Sequence, residues 1–232
     1  MIPQQHIVGQ WLLTAAIVAG VWLGGPLTAK AETYLAGQFG VTLADKLGKG
    51  NVTSDGLAGL QVSTQDLKNS LMGGVKLGHY FSQARWLGIE TEFFYTTPHI
   101  KQGPLTFSGP GGSVTADFLG LHQRVMTWAP LNILLRYPKY RLQPYVGIGP
   151  GIFFARIKDT DSGLTQSGTA IGLNAQAGLR YYVTRQWAIF GEGKYNVARI
   201  GYTSNDSDPA APIGFRATYS VFHLTFGLGY HF

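Results

Sequence analysis

The sequence contains no cysteine among its 232 residues. Disulfide bonds, thiolate metal ligands, a cysteine nucleophile and a lipid anchor on an N-terminal cysteine are therefore excluded. Charged residues are also scarce, at 13%, whereas glycine occurs 32 times and aromatic residues make up another 13%. This composition is unusual for a soluble enzyme. It is typical of strands that face lipid on one side and a tightly filled interior on the other.

Runs of basic residues are missing as well. The formal net charge is +6, but the Lys and Arg residues are spread along the chain without a block. Proteins that bind nucleic acid usually concentrate these residues on one element or face. The sequence therefore predicts no nucleic-acid partner.

The first 31 residues predict a signal peptide. Residues 11–23 form an apolar stretch, and Ala29-Lys30-Ala31 matches the A-x-A pattern that signal peptidase cleaves. The stretch is shorter than the roughly 20 residues that a membrane-spanning helix needs. Residues 1–10 lack the Lys or Arg that usually opens a signal peptide, which leaves an uncleaved anchor as the alternative. We predict cleavage after Ala31, which leaves one domain over residues 32–232.

Beyond residue 32 the apolar residues recur with a period of two, which is the period of a strand with one apolar face. The C-terminal strand shows this best, and His, Thr and Gly occupy the positions between its apolar residues. Its apolar face carries Phe222, Leu224, Phe226, Leu228, Tyr230 and Phe232.

Seven further segments show the same alternation. They cover residues 33–43, 71–79, 86–96, a stretch ending at 131–137, 145–155, 171–181 and 187–197. About eight strands in all is an even number, as a closed antiparallel up-and-down barrel requires. The predicted fold is therefore an all-β transmembrane β-barrel that follows the signal peptide.

The connections between these segments alternate in length. Short turns are predicted at residues 82–85, 138–141 and 184–186, and long polar loops at 44–69, 97–114, 158–167 and 198–215. This asymmetry is typical of outer-membrane barrels, whose short turns are periplasmic. Aromatic residues flank the short turns, where an interfacial girdle is expected; they are Trp86, Tyr137, Tyr181 and Trp187.

The second face of each strand carries glycine, amides and charged residues. An eight-stranded barrel has an interior just wide enough for side chains, so this face suits the lumen, whereas a soluble barrel would place bulky apolar residues there. Buried charges need partners. We predict that Lys76 lies opposite Glu90 and that Glu192 faces Gly178. The predicted salt-bridged lumen network comprises Lys76, Glu90, Glu92, Arg136, Arg180, Glu192 and Lys194.

Four segments resemble a known family. They are Tyr-Leu-Ala-Gly-Gln-Phe-Gly at 34–40, Gly-Val-Lys-Leu-Gly-His-Tyr-Phe at 74–81, Gln-Pro-Tyr-Val-Gly-Ile-Gly at 143–149 and Phe-Gly-Glu-Gly-Lys-Tyr at 190–195. In this order they resemble the eight-stranded outer-membrane barrels of the OmpA-like/opacity-protein superfamily. The resemblance implies that the terminal aromatic strand is read by the outer-membrane assembly machinery.

The chain also departs from that family. It stops at Phe232, so we expect no peptidoglycan-binding domain after the barrel. Residues 114–137 are more than one membrane strand needs and include Pro130, which leaves room for a strand projecting above the membrane or for a ten-stranded barrel.

Two motifs resemble cofactor or metal sites but lack essential parts. Gly147-x-Gly149-x-Gly151 is interrupted by Pro150 and precedes no helix, so lumen packing explains it better than a phosphate loop. The Asp-Thr-Asp-Ser-Gly stretch at 159–163 lacks the further ligands of a calcium loop, and Asn205, Asp206 and Asp208 also suit solvated loops. The sequence predicts no cofactor and no metal.

The expected partners are outer-membrane lipid, the assembly machinery and a surface or host ligand bound through the long loops. A structural, porin-like or surface-binding role fits all of these. Apolar loop residues form either a partner patch or loop packing; they are Leu57, Leu60, Val62, Leu105 and Phe107. The alternative is a membrane-embedded lipid hydrolase, which requires His, Ser and an acid. Its candidates are His99, His122, His223, Ser108 and Asp117.

Overall fold

The structure is a computed structural model, and it describes residues 32–48, 50–52, 60–110, 112–118, 121–159, 165–204 and 214–232. The predicted signal peptide lies outside the described residues. So do Leu57, most of the 159–163 stretch, Asn205, Asp206 and Asp208. Within the described part of the chain, no helix is long and apolar enough to cross a membrane.

Eight long strands form a closed antiparallel barrel, which confirms the predicted fold. They are β1 (Glu32–Leu47), β5 (Ser70–Tyr80), β6 (Leu87–Thr96), β9 (Leu121–Arg136), β10 (Leu142–Asp159), β11 (Thr165–Tyr182), β12 (Trp187–Ser204) and β13 (Phe215–His231). Each pairs with the next, and β1 pairs with β13 from Tyr34↔His231 to Leu47↔Tyr219. The barrel therefore has no free edge in this zone.

Five short strands lie outside the barrel and rule out the ten-stranded alternative. They are β2 (Gly50–Val52), β3 (Gln61–Val62), β4 (Gln65–Asp66), β7 (Gly103–Gly109) and β8 (Gly112–Phe118). Where β1 leaves the edge of β13, β2 takes its place, and the sheet continues through β3, β7 and β8. All five belong to the connections of the long-loop end, so this end carries a small sheet above the barrel.

The outward side chains form an apolar surface. The six apolar residues of the C-terminal strand are 37–53% exposed in the isolated chain, as strand alternation requires. The four residues of the predicted girdle are exposed beside the short turns. This surface fits lipid, because no aqueous protein would leave so much apolar area uncovered.

Two predicted loops are shorter than expected. β10 runs through Asp159, β11 begins at Thr165 and β12 continues to Ser204, so much of the predicted loops 158–167 and 198–215 is strand. The prediction failed here because the alternation continues with its polarity reversed. Ile200 and Tyr202 point inward and Arg199 points outward.

Pro130 lies in β9 at a distortion of the barrel wall. The β6–β9 register shifts between Glu90 and Glu92, and the β9–β10 register shifts between Ile148 and Ile152. Proline has no N–H to donate to a ladder, so it is tolerated in a sheet at such bulges. The extra length of residues 114–137 is divided between β8, which ends at Phe118, and the 16-residue β9, which begins at Leu121 and continues beyond the apolar belt.

Candidate functional site in the barrel lumen

A salt bridge lies at the short-turn end of the lumen. Arg136 donates from Nη1 and Nη2 to the two carboxylate oxygens of Glu32, at 2.9 and 2.6 Å. Tyr182 also donates to Glu32, and a His231 ring nitrogen lies 2.7 Å from the same carboxylate. Arg136 is thus placed at the rim. Its partner Glu32 was not among the predicted residues, because it directly follows the predicted cleavage site.

Arg180 lies one layer deeper and is stacked among tyrosines. Its guanidinium carbon is 4.2 Å from the ring centre of Tyr34 and 5.2 Å from that of Tyr145. The salt bridges of the described residues include none from Arg180 to a carboxylate. Cation–π contacts and a 3.5 Å hydrogen bond donated to the Tyr80 hydroxyl hold this charge. A Cβ at Gly78 would lie 2.3 Å from the Tyr34 ring, so glycine is needed there.

Five charged residues form the centre of the lumen, and we call them the plug: Lys76, Glu90, Glu92, Glu192 and Lys194. Glu192 is shared, because Lys76 Nζ and Lys194 Nζ each lie 2.7 Å from its Oε1. Lys76 Nζ also lies 3.3 Å from Glu90 and 3.5 Å from Glu92, and Lys194 pairs with Glu92. Each of these side chains is at most 1% exposed. Such burial is stable only when the charges compensate each other.

Uncharged groups complete the hydrogen bonding of the plug. Gln176 donates to Glu90 at 2.7 Å and accepts from Lys76 and Lys194 at 3.2 Å. Asn174 donates to Glu92 at 2.8 Å. Tyr145 donates to Glu192 at 2.6 Å, and Tyr34 donates to Glu90. With Arg180 included, three cations face three carboxylates, so the formal charge of this part of the lumen is zero.

The strand register corrects one predicted pair. Lys76 lies opposite Glu92. Glu90 lies opposite Gly78, which is two residues along β5 from its predicted partner Lys76. The prediction centred the β5–β6 turn one residue too early. The lysine still reaches Glu90 diagonally, because cross-strand neighbours at this range lie within reach of long side chains. Glu192 faces Gly178, in the predicted register.

The lumen changes character toward the long-loop end. Thirteen buried residues form an apolar cluster there: Leu47, Leu67, Ile100, Val125, Phe153, Ala155, Ile157, Ala198, Ile200, Tyr202, Ala217, Tyr219 and Val221. Leu67 and Ile100 come from the loop connections and bridge to each other, so they cover the cluster. The sequence prediction missed it. The sequence signal for this cluster is the alternation of inward apolar residues with outward Arg, Lys and Thr residues in the same strands.

The candidate histidines of the hydrolase alternative lie in two different places. His223 is buried in the lumen, where its Nδ1 lies 2.9 Å from Thr42 Oγ1. His99 and His122 pack edge to face at 4.5 Å, and His99 Nδ1 accepts the N–H of Gln123 at 3.2 Å. These partners do not complete a Ser–His–acid set. Ser108 lies opposite Ser113 in the β7–β8 hairpin, and the Asp117 side chain is outside the described part.

The apolar loop residues contact one another in the small sheet. Val62 lies opposite Phe107 across the β3–β7 pair, and both side chains are half-buried. A Cβ on Gly109 would lie 2.4 Å from Leu60, so Leu60 packs on this hairpin. Packing within the sheet thus accounts for these three residues. The Leu105 side chain is not described.

Comparisons with known proteins agree with this geometry. The family model for the outer membrane protein beta-barrel domain matches residues 17–232. The solved structure of OprG from Pseudomonas aeruginosa is similar, with a TM-score of 0.55, 14% identity, and coverage of 88% of this chain and 97% of OprG. A major outer membrane protein of Thermus thermophilus has a TM-score of 0.50 at 12% identity, covering 88% of this chain and all of that one. At these identities the likeness concerns the fold. No curated protein sequence matches significantly.

Proposed function

Because this chain belongs to the family of outer membrane protein beta-barrel domains, we propose that it is a closed outer-membrane barrel with a structural and surface-binding role. Its place is the bacterial outer membrane, as for its family. The barrel anchors the small sheet of β2, β3, β7 and β8 at the extracellular side, and this sheet is the surface offered to a ligand. A porin-like role is the less favoured alternative.

The observation that carries this proposal is the filled lumen. A conducting barrel needs a continuous aqueous path lined by polar groups. Here Lys76 and Glu192 meet across the lumen centre, and both are buried with their partners. The apolar cluster then occupies the lumen above them. Hydration of a path would require breaking the plug and wetting apolar side chains, and both steps are unfavourable.

Liposome swelling tests the closed lumen. Liposomes containing the refolded barrel are diluted into an isotonic solution of arabinose, a small neutral sugar. We expect a swelling rate equal to that of protein-free liposomes. Swelling as fast as that given by a general porin at equal protein content would contradict the proposal.

Replacement of the β7–β8 hairpin tests the surface role. Residues 103–118 are replaced by a short Gly-Ser turn, and bacteria displaying either chain at equal outer-membrane levels are compared for adhesion to cultured epithelial cells. We expect the barrel to fold unchanged and adhesion to fall severalfold. Equal adhesion by both strains would argue against ligand binding by this hairpin.

Export by a cleaved signal peptide is part of the proposal. Glu32, the residue after the proposed cleavage site, belongs to β1, and its side chain pairs with Arg136 inside the rim. N-terminal sequencing of the protein from purified outer membranes should therefore start at Glu32. A sequence starting at Met1 or Ile2 would show an uncleaved anchor instead.

We also propose that the assembly machinery reads the C-terminal strand. The outward face of β13 ends in Tyr230, and the exposed Phe232 follows the strand; the two rings stack at 6.3 Å between their centres. Deleting Phe232 should lower the amount of heat-modifiable barrel in the outer membrane severalfold, while refolding of the purified chain in detergent stays unchanged. An equal loss in both assays would indicate a purely structural role for Phe232.

A further inference from the structure

Among the side chains that the structure describes, the exposed charge is almost entirely basic. The plug buries Glu90, Glu92 and Glu192, and Glu32 is held at the rim. Of the carboxylate side chains that the structure describes, only that of Asp66 is exposed. Exposed Arg and Lys side chains are numerous in the same part of the chain, so the described outer surface carries an excess of positive charge. A surface of one sign attracts ligands of the opposite sign.

Three of these exposed arginines mark the same boundary on three strands. Arg124 in β9, Arg156 in β10 and Arg199 in β12 are each the first outward residue after the apolar belt. The last outward apolar residue stands two positions away in each strand; these residues are Met126, Phe154 and Val197. We call the three arginines the basic girdle. They lie on the long-loop side, where the membrane hydrocarbon ends.

The pairing of two girdle arginines, in β9 and β10, favours a bound anion. Arg124 and Arg156 lie directly opposite each other in the β9–β10 register. Like charges at directly opposed positions are destabilising by themselves. Both side chains are exposed, and none of the salt bridges of the described residues involves either of them. An anion between the two guanidinium groups would replace this repulsion with charge-assisted hydrogen bonds from both.

A groove in the barrel wall extends the girdle. The β11–β12 pairing is interrupted between Ser167↔Thr203 and Gly172↔Ala198. A groove of about 420 Å³ lies at this interruption, with Arg199, Arg216, Thr169 and Thr203 among its lining residues. Ile171, which is 76% exposed, lines the same groove. The groove thus combines guanidinium and hydroxyl donors with an apolar wall.

We propose that the basic girdle, together with Arg216, binds the phosphate groups of an acidic lipid in the outer leaflet. The guanidinium groups pair with the phosphates, and the acyl chains lie along the apolar belt below, on Trp128, Phe154 and Ile171. A membrane lipid fits better than a soluble polyanion because each girdle arginine adjoins the lipid-facing surface. Arginine suits this task, since its planar fork pairs with phosphate oxygens in a bidentate manner.

Lipid binding by matched variants tests the proposal. The refolded full chain in neutral detergent is titrated with bisphosphorylated lipid A, and bound lipid is counted by native mass spectrometry. The girdle variant R124Q/R156Q/R199Q is compared with K139Q/R141Q/R185Q, which loses the same charge from exposed positions at the short turns. Heat-modifiable migration and the urea midpoint verify that both variants fold.

The expected result is at least a tenfold loss of affinity in the girdle variant, since each arginine contributes about fivefold. The short-turn variant should stay within twofold of the unmodified chain. Equal losses in both variants would overturn the proposal, because net charge alone would then explain binding. Unchanged affinity in the girdle variant would overturn it as well.

A second arm separates a membrane lipid from a soluble phosphate ligand. The same titration uses the deacylated glucosamine disaccharide bisphosphate, which keeps the phosphates and lacks the acyl chains. We expect it to bind at least tenfold more weakly than the lipid. Equal affinity would overturn the lipid assignment in favour of a soluble polyanion. Arabinose swelling and cell adhesion do not depend on the girdle, so these results stand apart from the proposed function.

Discussion

The two halves of the lumen are filled by opposite kinds of side chain, charged in one half and apolar in the other. Near the short turns, the interior holds the plug and Arg180. Near the long loops, it holds the apolar cluster, with Phe153, Ile157 and Ile200 at most 2% exposed. The outer surface changes at the same level, from apolar residues to arginines and threonines. In β10, β12 and β13 the alternation of inward and outward residues continues without a break, and only the polarity of the two faces is exchanged.

This difference shows how the surroundings of a barrel set its interior. In the membrane zone lipid covers the apolar face, so the narrow lumen takes the polar residues. Above the membrane, water covers the outside, and the same strands bury apolar side chains as a soluble barrel does. One chain thus contains an inside-out barrel continued by a conventional one. Substitutions in one half, each compared with the other half or with a matched position, test this exchange of polarity.

The largest effect is expected when a charge enters the apolar half. In Ile200→Lys, an ammonium group would be buried without a carboxylate partner, which costs more than a domain of this size can compensate. We expect little or no heat-modifiable barrel after refolding. Thr203→Lys places the same side chain at an exposed outward position of the same strand and should refold normally. Normal refolding of Ile200→Lys would mean that the upper lumen is hydrated.

Neutralising the shared carboxylate should disrupt the charged half. Glu192→Gln leaves Lys76 and Lys194 with one carboxylate fewer, and breaking a buried pair costs about 3–5 kcal/mol. The free energy of unfolding, measured in urea with the barrel in lipid vesicles, should fall by this amount. Asp66→Asn removes an exposed carboxylate and should have almost no effect. Similar values for both variants would contradict a plug held by ion pairing.

A smaller loss is expected from a cavity in the apolar half. Ile157→Ala should reduce the free energy of unfolding by about 2–4 kcal/mol, because a buried side chain leaves a cavity. Ile148→Ala on the same strand faces outward at 53% exposure and should cost well under half as much. Equal losses in urea unfolding would show that the upper lumen is loosely packed.

The smallest effect concerns the rim of the apolar half and depends on pH. Burial and the neighbouring His122 lower the pKa of His99 below its usual value of 6.5. The unfolded state therefore binds the proton more readily, so stability is full above pH 6.5 and declines as pH falls below it. Protonation also removes the acceptor for the Gln123 N–H. Exchange of the Gln123 amide should accelerate in acid relative to that of Phe153. In His99→Gln, this acid dependence should disappear.

The sequence predicted the membrane half of this protein well for a physical reason. Outward Phe, Leu and Ile alternating with Gly, Lys and Glu leave one arrangement for an eight-stranded barrel, with Lys76, Glu192 and Lys194 inside. The β5–β6 register was predicted incorrectly. A turn centred one residue away exchanges Glu90 for Glu92 opposite Lys76, and the composition of the turn does not distinguish the two registers.

Other features could not be predicted from the alternation of apolar and polar residues. The upper strands reverse polarity, so Ile200 and Tyr202 looked like loop residues among Arg199 and Thr203. Glu32 could not be assigned as the partner of Arg136, because the two residues are 104 positions apart and meet only when the barrel closes. The covering of the apolar cluster by Leu67 and Ile100 depends in the same way on contacts between two loops.

Single-channel recording tests the central claim most directly. The purified, refolded barrel is added to a planar lipid bilayer at neutral pH, and insertion is verified by heat-modifiable migration of protein recovered from the same lipid. The plug and the apolar cluster predict no conductance steps above the baseline of the bare bilayer. Stable, high-conductance steps from the unmodified barrel would contradict a lumen closed by Lys76, Lys194 and their carboxylates.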